Sequence, residues 1–264
     1  MQLLLKAISA HHGFDFRDYD QDWLREKVFE AVAQQQASSI TGLTERILHE
    51  PGSMARLLAS LASKREAIFD RPEFFKSFRE HVVPLLKTYP SFRIWHVACG
   101  SGEEVYSMAI LLQEEGLYDR ALLYGTELSE AALAHAQAGM YRLDALDEAG
   151  GNYLAAGGTG ELSRYYTIEG SEGVFRPELK KNIFLTQHNL VTDGSLNEFQ
   201  VIICRQALSR FAPTLRRHAH TLFYESLVRL GVLAIGPDEL IERAPDCANF
   251  AALDPAAGIY RKKR

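Results

Sequence analysis

Two patterns in the sequence predict an α/β fold, in which a parallel sheet follows an all-α segment. From Tyr89 onward, short apolar runs alternate with amphipathic stretches that end at glycine. Strand–helix alternation of this kind builds parallel sheets with right-handed crossovers. Before Tyr89 the apolar residues recur at helical intervals instead. We therefore predict a helical N-terminal domain over residues 1–88 and an α/β domain over residues 89–264.

The composition bounds the class of protein. The chain has 264 residues, of which 47% are hydrophobic and 24% charged, as in ordinary proteins of one or two globular domains. A net charge of −5 argues against broad nucleic-acid binding, which needs a positive surface. No apolar run approaches the roughly 18 residues of a membrane span, and the start lacks a secretion signal. We expect a cytoplasmic protein with no nucleic-acid partner and no membrane insertion.

The N-terminal part predicts several helices. Apolar residues at helical spacing mark residues 22–32, 41–48 and 53–61, and Thr41 or Thr44 could cap the second of these helices. A further helix is predicted over residues 73–87, with Pro84 kinking or shortening its end because proline removes a helical hydrogen bond.

The α/β part predicts seven strands in its main sheet and one insertion. Residues 143–182 interrupt the alternation with seven glycines and two short strand candidates, 164–168 and 173–176. We interpret them as a small antiparallel β insert. The main-sheet strands and helices are predicted over residues 93–98, 104–115, 121–126, 130–138, 182–187, 200–204, 213–230 and 232–235, with an antiparallel edge pair over 250–253 and 258–261.

The clearest local motif runs from Val97 to Glu104, where a predicted strand enters a predicted helix. Gly100 and Gly102 stand where the backbone must turn tightly and approach a ligand. A lone Gly-x-Gly is more often a plain turn, but the flanking strand and helix strengthen the ligand interpretation. Glu103 and Glu104 follow at once, and their charge would repel the phosphate that a bare helix N-terminus attracts. The loop therefore suits a cationic or hydroxyl-rich ligand.

Polar residues also follow three other strands of the predicted sheet. Glu127 ends the second strand, where an acid grips ribose hydroxyls in such folds, although it could equally cap the helix near Ser129. Asn189–Leu190 and Arg205–Gln206 follow later strands. Parallel strands open on one edge of the sheet, so these residues are predicted to meet there. The resulting pocket is adenosine-sized and neutral to anionic, and S-adenosylmethionine, with its sulfonium, fits it better than NAD.

The cofactor prediction has a specific residue set, and two cysteines lie close to it. Cys99 follows the first strand and Cys204 ends the fourth. Both could be small buried fillers, and the alternative hypothesis is that Cys99 lines the pocket. The predicted cofactor-binding residues are Ala98, Gly100, Glu103, Glu127, Asn189, Leu190, Arg205 and Gln206.

The sequence resembles the chemotaxis receptor methyltransferase (CheR) family nearly from end to end. The resemblance rests on residues 93–95, 98–107, 126–129, 138–142, 189–190, 201–205 and 259–262, together with the helical N-terminal segment and the glycine-rich insert. It implies a Rossmann-type methyltransferase domain that transfers methyl from S-adenosylmethionine to glutamate side chains of receptor-like coiled coils. It also implies that the helical domain and the insert help to hold an acidic segment of the substrate protein.

The chemistry implied by the resemblance needs no catalytic triad or metal. A glutamate carboxylate has a reference pKa of about 4.3 and is already ionised at neutral pH. Attack on the sulfonium methyl therefore needs no general base, and alignment with exclusion of water can supply most of the acceleration. The histidines do not suggest a metal site either, since His218 and His220 face different directions on a predicted helix. We expect His96 to be packed or hydrogen-bonded.

The sequence departs from the family pattern at five positions. Before the sheet, Lys64, Glu66 and Asp70 stand where the family has asparagine, threonine and arginine. After the fourth strand, Gln206 replaces an asparagine, and Arg210 replaces the tyrosine near the methyl-transfer site.

Two explanations of these departures are open. In the first, Arg205 and Arg210 are catalytic residues that orient a different acidic substrate through charge-assisted hydrogen bonds. In the second, the chain is a regulatory or scaffolding protein that retains the fold, with or without binding of S-adenosylmethionine or S-adenosylhomocysteine.

Overall fold

Six helices form the N-terminal part of the computed structural model, which describes residues 1–62, 67–195, 197–205, 207–236, 239, 241 and 244–263. The predicted break at Pro84 is confirmed, since the helix stops and a short one restarts at Val83. The cap prediction at Thr41 or Thr44 is wrong: the Ser39 side chain accepts from the Gly42 amide. The helices are α1 (Gln2–His12), α2 (Gln21–Gln34), α3 (Ile40–His49), α4 (Ser53–Leu61), α5 (Pro72–His81) and α6 (Val83–Leu86).

The α/β part builds a seven-stranded sheet and a separate three-stranded sheet. The predicted α/β class is confirmed, and so is the antiparallel pair at the end of the chain. Its elements are β1 (Phe92–Val97), α7 (Glu103–Glu114), β2 (Ala121–Glu127), α8 (Glu130–Ala138), β3 (Met140–Arg142), α9 (Leu143–Ala155), β4 (Tyr166–Glu169), β5 (Glu172–Phe175), α10 (Pro177–Lys180), β6 (Ile183–Gln187), β7 (Phe199–Cys204), α11 (Pro213–Ser226), β8 (Leu227–Ile235), β9 (Phe250–Asp254) and β10 (Ile259–Lys262).

The large sheet has the order β6-β2-β1-β7-β8-β10-β9. Strands β6, β2, β1, β7 and β8 run parallel, so the carboxyl ends of β6, β2, β1 and β7 open side by side on one edge. The helix predicted to reach residue 230 ends at Ser226 instead. Leu227 pairs with Phe199 of β7, and sheet pairing here overrides the helical apolar spacing.

The insert is an antiparallel sheet in the order β3-β5-β4, as predicted, but it begins at Met140 and contains an unpredicted helix, α9. Leu146, Ala149 and Tyr153 are buried at helical spacing in α9, and their packing outweighs the cost of the Gly150–Gly151 pair inside the helix. The division of the chain into two domains at residue 88 stays a prediction.

Hydrophobic clusters cover both faces of the large sheet. Along β1, Ile94 packs into the cluster of α5, α6, α7 and the insert, whereas Trp95 packs into the cluster of α1–α4 and α11. Side chains alternate between the two faces of a strand, so the N-terminal helices α1–α4 share one face of the sheet with α11. None of the described helices is long and apolar enough to cross a membrane.

Candidate functional site

A cavity of about 510 Å³, partly open to solvent, lies at the carboxyl edge of the large sheet. It is lined by residues that follow β1, β2, β6 and β7. On the other side it is covered by Phe16, Tyr19 and Leu61 of the N-terminal part, which form the roof of the cavity. Of the predicted site residues it brings together Ala98, Glu127, Asn189, Leu190 and Arg210. The other described lining residues are Phe16, Tyr19, Leu61, Thr126, Leu128, His188, Ala207 and Phe211.

The glycine loop between β1 and α7 has the backbone geometry that its sequence predicts. Gly100 and Gly102 have φ angles of 54° and 94°, in the left-handed region that favours glycine. A Cβ at Gly102 would lie 2.8 Å from the Cβ of Ala136, so no larger residue fits there without movement. The loop passes the end of β2 and starts α7 at Glu103.

Glu127 ties the end of β2 to this loop. One carboxylate oxygen accepts from the Gly100 amide at 3.1 Å, and the other accepts from the Leu128 amide at 2.7 Å. The alternative role of Glu127 as the cap of the next helix is wrong, because the Ser129 side chain caps α8. Glu127 is buried in the cavity wall, at the strand end where an acid can accept from ribose hydroxyls.

Arg205 lies behind the cavity rather than among its described lining residues. Its guanidinium donates to Glu104 at 3.1 Å and lies 4.3 Å from the centre of the Phe74 ring. It also reaches the Asp70 carbonyl at 3.4 Å. Glu104 in turn pairs with the Nδ1 atom of His96 at 2.8 Å. Arg205 therefore joins α5, α7 and the end of β7, and its direct contact with a ligand stays a prediction.

The buried carboxylate of Glu104 remains ionised because of its partners. Burial by itself raises the pKa of Glu104, but the hydrogen bond from His96 and the charge of Arg205 outweigh burial and lower it below its ordinary value. His96 is fully buried and hydrogen-bonded, as its sequence position predicts.

Glu103 faces a second cavity, of about 710 Å³, which lies between the glycine loop and the insert. Glu103 is buried, and its carboxylate accepts a hydrogen bond from the Ser101 hydroxyl at 2.8 Å. Asp70 contributes its carbonyl to Arg205 as described above. The predictions made for Lys64, Glu66 and Gln206 lie outside the described residues.

Cys99 is a core residue and does not belong to the described lining of the cavity. A Cβ at Gly125 would lie 3.0 Å from its sulfur, so the thiol packs against β2. The hypothesis that Cys99 lines the pocket is therefore wrong. Its neighbourhood is nevertheless informative: burial raises the pKa of Cys99, and the charges of Glu127 and Glu104 raise it further. The potential around the glycine loop is negative, which fits the sulfonium of S-adenosylmethionine and disfavours phosphate.

The roof of the cavity is the part that sequence reasoning missed. Two backbone hydrogen bonds clamp the turn before α2 onto the loop after β7: the Asp20 amide donates to the Arg210 carbonyl at 2.8 Å, and the Ala212 amide donates to the Asp18 carbonyl at 2.9 Å. The Arg210 guanidinium lies 5.5 Å from the centre of the Trp23 ring. The aromatic residues between positions 14 and 23 were the available signal, but their spacing predicts only a hydrophobic core.

Comparison with known proteins identifies the family of this chain. Residues 64–256 match the family described as "CheR methyltransferase, SAM binding domain". "Putative methyltransferase Cher3" of Pseudomonas putida is 36% identical, over 99% of this chain and 96% of that protein. "Chemotaxis protein methyltransferase 1" of Pseudomonas aeruginosa is 27% identical, over 88% and 86%. The solved N-methyltransferase NodS of Bradyrhizobium japonicum, in complex with S-adenosyl-L-homocysteine, is 11% identical with a TM-score of 0.43, over 74% and 88%. The chain belongs to the CheR family of S-adenosylmethionine-dependent methyltransferases.

Proposed function

We propose that this chain is an O-methyltransferase that acts on glutamate carboxylates of receptor-like signalling proteins. The observation that carries the proposal is the pairing of opposite charges in one cavity: Glu127 lies at the strand end that suits ribose, and Arg210 lies beneath the aromatic roof. A methyltransferase for carboxylates can use a hydrogen-bond acceptor for the ribose hydroxyls of the cofactor and a cationic side chain for the carboxylate of its substrate. The chemotaxis protein methyltransferases that are similar to this chain support the same class of substrate.

In this proposal the lining residues divide the cavity into two parts. Glu127 accepts from the ribose hydroxyls, while Asn189 and Leu190 border the adenine and Ala98 borders the chain that leads to the sulfur. When bound, S-adenosylmethionine supplies a methyl group on a positively charged sulfur. The carboxylates near the glycine loop favour that charge: after burial, the charges of Glu127 and Glu104 are the next causes that raise the pKa of Cys99.

The protein residues then orient the substrate and exclude water. A glutamate side chain arrives ionised, so no residue has to remove a proton. Arg210 holds its carboxylate through charge-assisted hydrogen bonds, and Phe16 and Phe211 shield the cavity from water. Arg205 acts indirectly, by joining the end of β7 to α7 through Glu104 and to α5 through Phe74.

The direct test is methyl transfer from labelled S-adenosylmethionine to acidic peptides and to receptor-like coiled coils. A carboxyl methyl ester releases its label as methanol in mild alkali, whereas an N-methyl group does not. Base-labile transfer supports the proposal. Binding of S-adenosylhomocysteine without transfer to any carboxylate would replace it with the regulatory or scaffolding function.

Two variants test the assigned roles. We expect Arg210→Met to lower transfer at least tenfold, because one charge-assisted hydrogen bond contributes about 1.5–3 kcal/mol, while binding of S-adenosylhomocysteine changes little. Glu127→Gln should act on the cofactor instead and weaken S-adenosylhomocysteine binding about tenfold. Arg217→Met, at an exposed position of α11, is the matched control and should alter neither measurement. Equal transfer by the Arg210 variant and the wild type would exclude Arg210 from the reaction.

A further inference from the structure

The hydroxyl of Tyr19 has no hydrogen-bond partner within the part of the chain that the structure describes. Tyr19 is 9% exposed and lines the cavity at the carboxyl edge of the sheet. The hydroxyl is not one of the fully enclosed polar atoms that lack a partner, so it opens onto the space of the cavity. A phenol hydroxyl in the wall of a ligand cavity, with no partner among the described residues, is available to donate a hydrogen bond to a bound ligand.

The position of this hydroxyl is fixed by packing on the apolar part of the ring. The edges of the Phe16 and Phe211 rings meet Tyr19 at centroid distances of 5.2 and 5.1 Å, and Trp23 stacks at 6.0 Å. The backbone of Tyr19 also bridges to that of Phe211. Tyr19 is therefore held in place before any ligand binds, as a binding residue should be.

The charges around Tyr19 indicate what it binds. Burial and the charge of Glu127 raise its pKa, and Arg210 lowers it only in part, so the phenol stays protonated and can donate. The same two charges thus reach the hydroxyl. The Tyr19 hydroxyl and the guanidinium of Arg210 can both donate to one carboxylate, which has two acceptor oxygens. Glu127, in contrast, accepts hydrogen bonds and suits the hydroxyl donors of a ligand.

We propose that Tyr19 donates a hydrogen bond to the carboxylate of the accepting glutamate, next to Arg210. Tyr19 is then a substrate-binding residue that the N-terminal helical part supplies to the methyl-transfer site. The inference rests on the proposed function, since it names a carboxylate as the group that the Arg210 side of the cavity binds.

The test uses the full chain saturated with S-adenosylhomocysteine and two small probes, N-acetylglutamate N-methylamide and its glutamine counterpart. Calorimetry should show that the wild type prefers the glutamate probe. Tyr19→Phe keeps the ring and removes only the hydroxyl, so it should weaken binding of the glutamate probe about tenfold. The affinity for S-adenosylhomocysteine should stay within about twofold. Tyr124→Phe is the matched control, because Tyr124 lies outside the described lining, and it should change neither affinity.

Three outcomes would overturn the inference: unchanged binding of the glutamate probe by the Tyr19 variant, no preference of the wild type for glutamate over glutamine, and a parallel loss of S-adenosylhomocysteine affinity. The last outcome would assign the hydroxyl to the cofactor. Failure of the proposed function gives a different result: the wild type prefers the glutamate probe, Tyr19→Phe loses that preference, and neither transfers methyl. Circular dichroism melting of each variant confirms that it is folded.

Discussion

Replacing Glu104 with glutamine removes the central charge of the buried group formed with His96 and Arg205. The side chain of Arg205 is 4% exposed and that of Glu104 is 11% exposed. The variant keeps the shape of the side chain and one acceptor oxygen, but it leaves the guanidinium buried without a counter-charge. Breaking a buried ion pair by removing one partner costs about 3–5 kcal/mol. We expect a loss of that size in the free energy of unfolding at pH 7.5.

The loss should depend on pH with a definite sign. The pKa of Glu104 lies below its ordinary value of 4.5 in the folded protein. A carboxyl group with a lowered folded pKa contributes stability above its unfolded pKa and loses that contribution as pH falls through the folded pKa. The difference between wild type and Glu104→Gln should therefore be full above pH 4.5 and shrink below it.

Urea denaturation followed by circular dichroism measures both quantities. Arg205→Met and the double variant complete a cycle, and the two changes should cost at least 1.5 kcal/mol less together than the sum of their separate effects. Asp144→Asn removes the partner of the exposed Arg142 and should leave the midpoint unchanged. The free energy of unfolding should fall with urea concentration at the same slope in Glu104→Gln and the wild type. A loss below 1 kcal/mol under that condition would refute the conclusion that Glu104, His96 and Arg205 hold α5 and α7 against β7.

Three further predictions concern stability. Gly102→Ala places a Cβ 2.8 Å from the Cβ of Ala136 at a φ of 94°, so it should cost about 1–3 kcal/mol and weaken S-adenosylhomocysteine binding. Gly150→Ala, which meets open space within α9, should instead add about 0.5–1 kcal/mol. Burial and the charge of Arg216 lower the pKa of His220 from 6.5 to about 4, so stability should fall by about 3 kcal/mol as pH drops from 6.5 to 4. His220→Gln should abolish that part of the pH dependence in urea titrations, and an unchanged pH profile would contradict it.

Residues at strand ends were the predictable part of the site. A parallel sheet opens the carboxyl ends of its strands on one edge, so Ala98, Glu127 and Asn189 could be brought together by counting strands in the sequence. The structure places all three in one cavity. The same logic placed Arg205 there, but the acid of α7 draws its long side chain to the back of the loop. Strand position fixes a backbone, whereas a flexible cationic side chain follows the nearest buried carboxylate.

The unpredictable parts depend on contacts between distant segments. Tyr19 enters the cavity because backbone hydrogen bonds join residues 18–20 to residues 210–212. The spacing of apolar residues within either segment does not predict that pairing. Helix α9 was missed because Gly150 and Gly151 weigh against a helix locally. The burial of Leu146 and Tyr153 stabilises the helix, but it exists only in the folded chain.

The roof also bears on where the functional unit begins. The family match starts at residue 64, but Phe16, Tyr19 and Leu61 line the cavity from before that point. The loop that carries Arg210 is held by the turn before α2, and its guanidinium donates to the Leu61 carbonyl at 3.3 Å. The N-terminal helical part therefore contacts both the backbone and the side chain of Arg210. The helical part is thus built into the geometry of the site.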